Sequence, residues 1–158
     1  MTKKDVLNIK SSDGSALHIE VRSLADKDFD GPDFRNADLR GAQLEGANFC
    51  DAVLDHANLN GADCWTATFY RCSMKNVSMK SGIFSGADFQ YAQLISADLR
   101  NGDFSNENGI YGADFSNANL VNAMWEGAKF SGCKYNGNTV FPDGFDPLVE
   151  GMIFNDVV

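Results

Sequence analysis

The chain has 158 residues, a length suited to one domain. Its net charge of -9 disfavours any role that neutralises nucleic-acid phosphate, since that work falls to Lys and Arg. Its four cysteines are too few and too irregularly spaced for a disulfide framework or a zinc site. No run of about 18 apolar residues is present to span a membrane.

In chain order, residues 1–23 stand apart from the rest of the chain. The opening MTKKDVLNIK lacks an apolar core of signal-peptide length, so the expected location is the cytoplasm. Val6, Leu7 and Ile9, then Ser11 to Ser15 with Asp13-Gly14, then Leu17, Ile19 and Val21 read as strand, turn, strand. The expected role of this unit is a cap over an end that would otherwise expose apolar core and unpaired strand edges.

From Ala37 to Asp63 the chain reads ADLRG AQLEG ANFCD AVLDH ANLNG AD, one five-residue phrase repeated. A helix face recurs every 3.6 residues and a strand face every 2, so neither explains the spacing. A period of five that keeps Ala and Leu/Phe on one side needs a backbone that turns a corner each time. The phrase resembles the A(D/N)LXX motif of the pentapeptide-repeat family, and the likeness runs from Leu24 to Val140. That resemblance implies an all-β fold, a right-handed quadrilateral parallel β-helix in which each repeat is one side and four repeats make a coil. Residues 24–140 are thus the expected β-helix, with caps at 1–23 and 141–158.

Central positions run Leu24, Phe29, Phe34, Leu39, Leu44, Phe49 and onward every fifth residue to Phe104. At Asn106–Gly109 the phase slips by one residue and resumes at Ile110, Phe115, Leu120, Trp125, Phe130, Tyr135 and Val140. Two residues before most centres sits Ala, Gly or Cys, as a narrow coil demands when two side chains per side point inward. Taking every fourth centre predicts an aromatic core stack of Phe29, Phe49, Phe69 and Phe89, then Ile110 and Phe130.

The last segment breaks the period with Pro142, Gly144 and Pro147. Phe141, Phe145, Leu148, Met152, Ile153 and Phe154 are expected to cover the final coil. Asp146-Pro147 reads as the start of a single helical turn, Asp146 capping and Pro147 at the first helical position.

No catalytic constellation stands out, and the chain is read as a non-enzyme that needs no cofactor or metal. His18 and His56 lack Cys or Asp partners at useful spacing, and the glycines fall at repeat corners rather than in a phosphate-binding motif. Cys64, Cys72 and Cys133 read as core. Cys72 and Cys133 are expected on one side, too far apart to bond, and Cys50 outside as the reactive thiol.

Two surface features carry the functional expectations. Trp65, Tyr70, Ile83, Tyr91, Tyr111 and Met124 are expected outside, on two adjacent sides, as an interaction surface for a protein partner or a second copy. The expected function is therefore a rigid protein-interaction rod with no direct nucleic-acid or membrane binding. The alternative comes from the resemblance: quinolone-resistance members of the family imitate duplex DNA and bind type II topoisomerases such as gyrase. Asp28, Asp33, Asp38, Asp63, Asp88, Asp98, Asp103 and Asp114 would supply the charge, although Asp belongs to the repeat motif itself. Arg40, Lys80 and Arg100 interrupt that charge on one side.

Overall fold

A computed structural model describes residues 5–10, 16–21, 24–31, 33–106 and 111–156. Four named strands occur among them: β1 (Asp5–Lys10), β2 (Ala16–Val21), β3 (Lys134–Tyr135) and β4 (Ile153–Phe154). β1 and β2 pair antiparallel, Asp5 opposite Val21 and Lys10 opposite Ala16. The Asp13-Gly14 turn expected between them lies outside the described residues.

The rest is built from corners. Two residues after each centre from Leu24 to Leu99, and again from Phe115 to Phe130, the backbone enters the left-handed region. Glycine fills seven of these corners, at 31, 41, 46, 61, 86, 127 and 132, and Asn, Asp or Ser most of the others. Gly, Asn and Asp tolerate positive φ best. Thr66 (φ 54°), Arg71 (54°) and Tyr91 (60°) adopt it at a steric cost. The corner closes with one hydrogen bond: the N–H of the next inward small residue donates to the centre's C=O. Ala37 to Phe34 (3.0 Å), Ala52 to Phe49 (3.1 Å) and Ala67 to Cys64 (3.0 Å) are typical.

Four corners complete a coil of 20 residues, and successive coils pair in parallel. Asp28 faces Asn48, Asn48 faces Thr68 and Thr68 faces Asp88. On each side the centre donates up, Phe49 N–H to Thr68 C=O at 2.7 Å. The residue before it donates back, Thr68 N–H to Ala47 C=O at 2.9 Å. The corner residue adds a third bond, Asp51 N–H to Tyr70 C=O at 3.0 Å. Most backbone polar groups of the coils are therefore paired although no strand here is long.

We number the sides 1 to 4 from the one centred on Phe29. Side 1 carries Phe29, Phe49, Phe69, Phe89, Phe115 and Tyr135. From Phe29 to Phe115 its rings stack at 5.0–5.3 Å between centroids. A second ladder on side 4 joins Phe84, Phe104 and Phe130 at 5.1 and 5.3 Å. The two touch through tilted contacts such as Phe104–Phe115 at 5.6 Å. The stacking distance follows the strand spacing, and the tilted contacts suit the ring quadrupoles.

This ordering corrects the expected stack. The coil-to-coil step is 20 residues up to Ile83–Asp103, becomes 26 for Asp88–Asp114 through Asp103–Lys129, returns to 20 at Asp114–Lys134 and is 21 at Asn119–Val140. Val140 is thus not the centre expected but the outward residue before it, and Phe141 packs inward instead. Six residues (26 - 20) are therefore inserted between Phe104 and Phe115, not one. Six leaves a remainder of one after a repeat of five, so the phase alone looks like a single-residue slip. The insertion rotates every later centre by one side. Phe115, not Ile110, lies over Phe89, and Phe130 lies over Phe104 rather than in the Phe89 stack. Ile110 itself falls outside the described residues. Cys72 and Cys133 also part company: Cys72 belongs to side 2 below Met74, and Cys133 to side 1 beside Tyr135. The corner bond survives the insertion, Ala113 N–H to Phe104 C=O at 2.9 Å.

The rod ends in a capped turn. Asp146 Oδ1 accepts the N–H of Leu148 at 2.9 Å and of Val149 at 3.4 Å, an N-cap with Pro147 at the first position. The turn closes with Gly151 N–H to Leu148 C=O (3.2 Å) and Met152 N–H to Pro147 C=O (2.8 Å), with Gly151 at φ 74°. That pair of bonds is the Schellman pattern. Met152 is buried, and Phe145 lies edge-on against Trp125 (5.5 Å) and Phe130 (5.3 Å), closing the core. β4 then lies parallel on β3, Ile153 opposite Lys134 and Phe154 opposite Tyr135. Leu148, Ile153 and Phe154, expected as cover, face solvent instead. Phe141, Phe145 and Met152 do the covering.

Phe69→Ala leaves a hole between two stacked rings in a fully buried ladder. It should cost about 3–5 kcal/mol, read as a lower urea midpoint at unchanged slope. Thr66 is exposed and β-branched at φ 54°. Thr66→Asn should therefore raise stability by about 0.5–1 kcal/mol in the same assay, and a loss would show that its 2.7 Å bond to the Trp65 C=O outweighs the strain.

Candidate interaction surface

Outward positions follow from the corners. The residue before each centre points out from the middle of a side, and the two after it form the corner. Side 1 therefore has a central row of Asp28, Asn48, Thr68, Asp88, Asp114 and Lys134. Aromatics border it. Trp65 stands at the corner with side 4, and Tyr111, which belongs to the insertion between Phe104 and Ala113, lies between sides 4 and 1 and is 77% exposed. Lys134 Nζ lies over its ring at 5.6 Å. Tyr70 and Tyr91 stand at the opposite corner, edge to face at 5.5 Å. The Arg71 guanidinium covers Tyr70 at 5.0 Å and forms an ion pair with Asp51.

Ile83 occupies the middle of side 4, next to the Trp65 corner. Five of the six expected surface residues thus lie on or beside sides 4 and 1. Met124 does not: it pairs with Asp98 on side 3. The six-residue insertion moved it there. All but the half-buried Tyr70 are exposed.

The row on side 1 is chemically uneven. Asn48 Nδ2 donates to Asp28 Oδ1 at 2.9 Å. Burial pushes the Asp88 carboxyl up, the Gln90 N–H opposes this, and Asp114 in the next coil adds to the rise. Lys134 then ends the row with the opposite sign.

Other sides carry paired charge. Arg35 binds Asp33 (2.6 Å) on side 2, and Arg40 binds Asp38 (2.6 Å) on side 3. Asp98, also on side 3, holds Arg100 at 2.7 Å and Lys80 at 3.8 Å. Lys129 lies 3.8 Å from Asp103 on side 4. The guanidinium hydrogen bonds hold the Asp38 and Asp98 carboxyls below their ordinary range. Each side thus has cations among its carboxylates, and the rod's surface is of mixed sign.

Sequence reasoning missed the most exposed apolar group. Val140, Leu148, Val149, Ile153 and Phe154 all face solvent at the C-terminal end of the rod. The clue lay in two adjacent apolar pairs, Leu148-Val149 and Ile153-Phe154, since a segment one layer thick cannot bury both members of each.

The reactive chemistry is sequestered or solvated. Cys64, Cys72 and Cys133 are buried free thiols, and burial raises all three. The Cys72 and Cys133 thiols bond the Ala52 and Phe104 carbonyls. Cys50 is partly exposed, and burial together with Asp30 and Asp51 raises it also. Among the described residues no His, Cys, Asp and Glu group is arranged to hold a metal ion, and no helix is long and apolar enough to cross a membrane. A disulfide-exchange reagent should modify Cys50 alone in the native chain, more slowly than a free thiol at about pH 8 and faster as pH rises, because its thiolate is disfavoured. The other three should react only in denaturant, and early labelling of any of them would contradict the core described above.

Comparison with known proteins places this geometry. A family model described as pentapeptide repeats matches in eight copies, over residues 23–49, 33–63, 51–86, 69–106 and 111–134. Among solved structures, the pentapeptide repeat protein Rfr23 from the cyanobacterium Cyanothece 51142 is 24% identical, with a TM-score of 0.57 over 66% of this chain. This chain spans 64% of the length of that relative. A form of QnrB1, a plasmid-mediated fluoroquinolone resistance protein, is 17% identical over 84% of each chain, with a TM-score of 0.53. A pentapeptide repeat protein from Nostoc Pcc 7120, alr5209, is 28% identical over 82% of this chain and 85% of its own, with a TM-score of 0.38. No functionally curated protein matches. The fivefold period, the left-handed corners, the 20-residue coil and the family match agree: the chain belongs to the pentapeptide repeat family and has its right-handed quadrilateral β-helix fold.

Proposed function

We propose that the protein is a non-enzymatic interaction rod that presents side 1 and its aromatic borders to a protein partner. One observation carries this reading: Trp65, Tyr70, Tyr91 and Tyr111 flank a single flat row, with Ile83 beside them, on a backbone tied down by three hydrogen bonds per side and coil. Large aromatic side chains on a rigid surface bind at low entropic cost. Four free cysteines suit a reducing compartment, which supports placement in the cytoplasm. A second copy of the chain is the nearest candidate partner for this surface.

A second reading is DNA mimicry directed at a type II topoisomerase. The net charge of -9 favours it. The likeness to QnrB1, at 17% identity, speaks for fold alone. The ion pairs on sides 2, 3 and 4 weigh against it, because a phosphate mimic needs carboxylates without cations beside them.

Two measurements separate the readings. In a gyrase supercoiling assay the interaction-rod reading expects no inhibition at micromolar protein, and inhibition would transfer the assignment to the mimic. Sedimentation of the native chain against Trp65→Ser with Tyr70→Ser tests the self-association form. A lower mass for the variant supports side 1 as a homomeric interface, and an unchanged mass removes the second copy as its partner.

A further inference from the structure

β4 is the first side of a seventh coil that goes no further among the described residues. Ile153 N–H donates to Cys133 C=O and Asn155 N–H to Tyr135 C=O, both at 2.7 Å, so the inner edge of this strand is paired. Among the described residues its outer edge has no strand on it. Phe154 is the last ring of the side 1 column, edge-on to Tyr135 at 5.4 Å and 52% exposed. Ile153, Leu148, Val149 and Val140 add exposed apolar surface around it. Every coil below shows what such an edge accepts: a parallel strand one spacing away, with a large apolar residue over the ring.

The charge of this end selects the occupant. Residues 135–156 contain Asp143, Asp146, Glu150 and Asp156 and no Lys or Arg. Elsewhere in the coils many carboxylates have cationic neighbours. Two such ends brought together would set eight carboxylates, four from each copy, against one another, which disfavours a second copy here. Among the described residues none of the four has an ion pair, and the nearby Lys134 lies over the Tyr111 ring, so a strand carrying Lys or Arg would complement them.

We propose that the C-terminal end of the rod is a docking site for an extended basic peptide, which adds as a strand to the outer edge of β4, lays an apolar residue over Phe154 and pairs its flanking cations with Asp156 and Glu150. Backbone hydrogen bonds supply affinity in this mode and the alternate side chains supply selectivity. The site extends the reading as an interaction rod, but it uses none of the side 1 border residues, so either can fail alone.

The probe is a fluorescent hexapeptide alternating Lys with Val or Phe, titrated with the full chain and followed by anisotropy. Binding should weaken as salt rises and should vanish for the same peptide with Glu in place of Lys. N-methylation of the backbone on one edge of the peptide should abolish binding while leaving its side chains intact. Phe154→Ser should weaken binding about tenfold, the loss of one aromatic contact, and Glu150→Lys with Asp156→Lys at least as much. Circular dichroism of both variants should match the parent, since the altered side chains are at the surface. Trp65→Ser should leave this binding unchanged, which separates the site from side 1. Absence of binding, equal binding of the Glu peptide, or full binding by folded Phe154→Ser would overturn the proposal. So would dimerisation of the native chain at neutral pH that Phe154→Ser abolishes, which would give the edge to a second copy.

Discussion

Everything in the rod depends on a backbone that enters the left-handed region every fifth residue. That conformation turns the chain by a quarter and returns the same two positions to the interior on each side. It costs little at Gly, Asn or Asp and more at Thr66, Arg71 or Tyr91. The corners hold even there because the bond across each corner and the ladder to the next coil leave the chain no other way to pair its amides. The interior then admits one large and one small side chain per side, which is why Ala, Gly and Cys recur beside Phe, Leu and Met. Gly82 and Gly102 show how tight the fit is, since a Cβ on either would press against the ring of Phe84 or Phe104. Shape at the corner thus fixes volume in the core.

Much of this was written in the residues. The period alone excluded helix and plain strand, and the residues two before each centre named the small inward position. The columns from Leu24 to Phe104 could be assigned by counting. Asp146-Pro147 announced its own capped turn. What counting could not give was the length of an insertion, because a repeat reports only the remainder after division by five. Phe130, Met124 and Cys133 were displaced by one side for that single reason. The exposure of Phe154 was hidden for a different one. An apolar residue in a capping segment looks the same in sequence whether it covers the layer below or begins a layer that no described residue covers.

The surface reflects a division between the ladder and what hangs from it. Asp at the position before the centre is bound to the local turn: Asp98 Oδ1 and Asp33 Oδ1 accept the N–H two residues on, at 3.3 and 3.0 Å. An aspartate in this place is therefore first a corner stabiliser and only then a charge. Counting such residues overstates how much negative surface is free to act on a partner. Side chains that take no part in the turn's hydrogen bonds, such as Trp65, Tyr91 and Tyr111 along the shaft and Ile153 and Phe154 at its end, are exposed instead.

The bond from Ala113 to Phe104 also separates the length of the insertion from the register. It joins the chain on either side of the inserted segment as an ordinary corner would, and the ladders above and below continue unbroken. The number of residues between Phe104 and Ala113 can thus change the count of the sequence while the ladders of the folded chain stay as they are. This gives the molecule a natural graft point, where foreign sequence of arbitrary length could be carried at one edge of side 1 on an unaltered support.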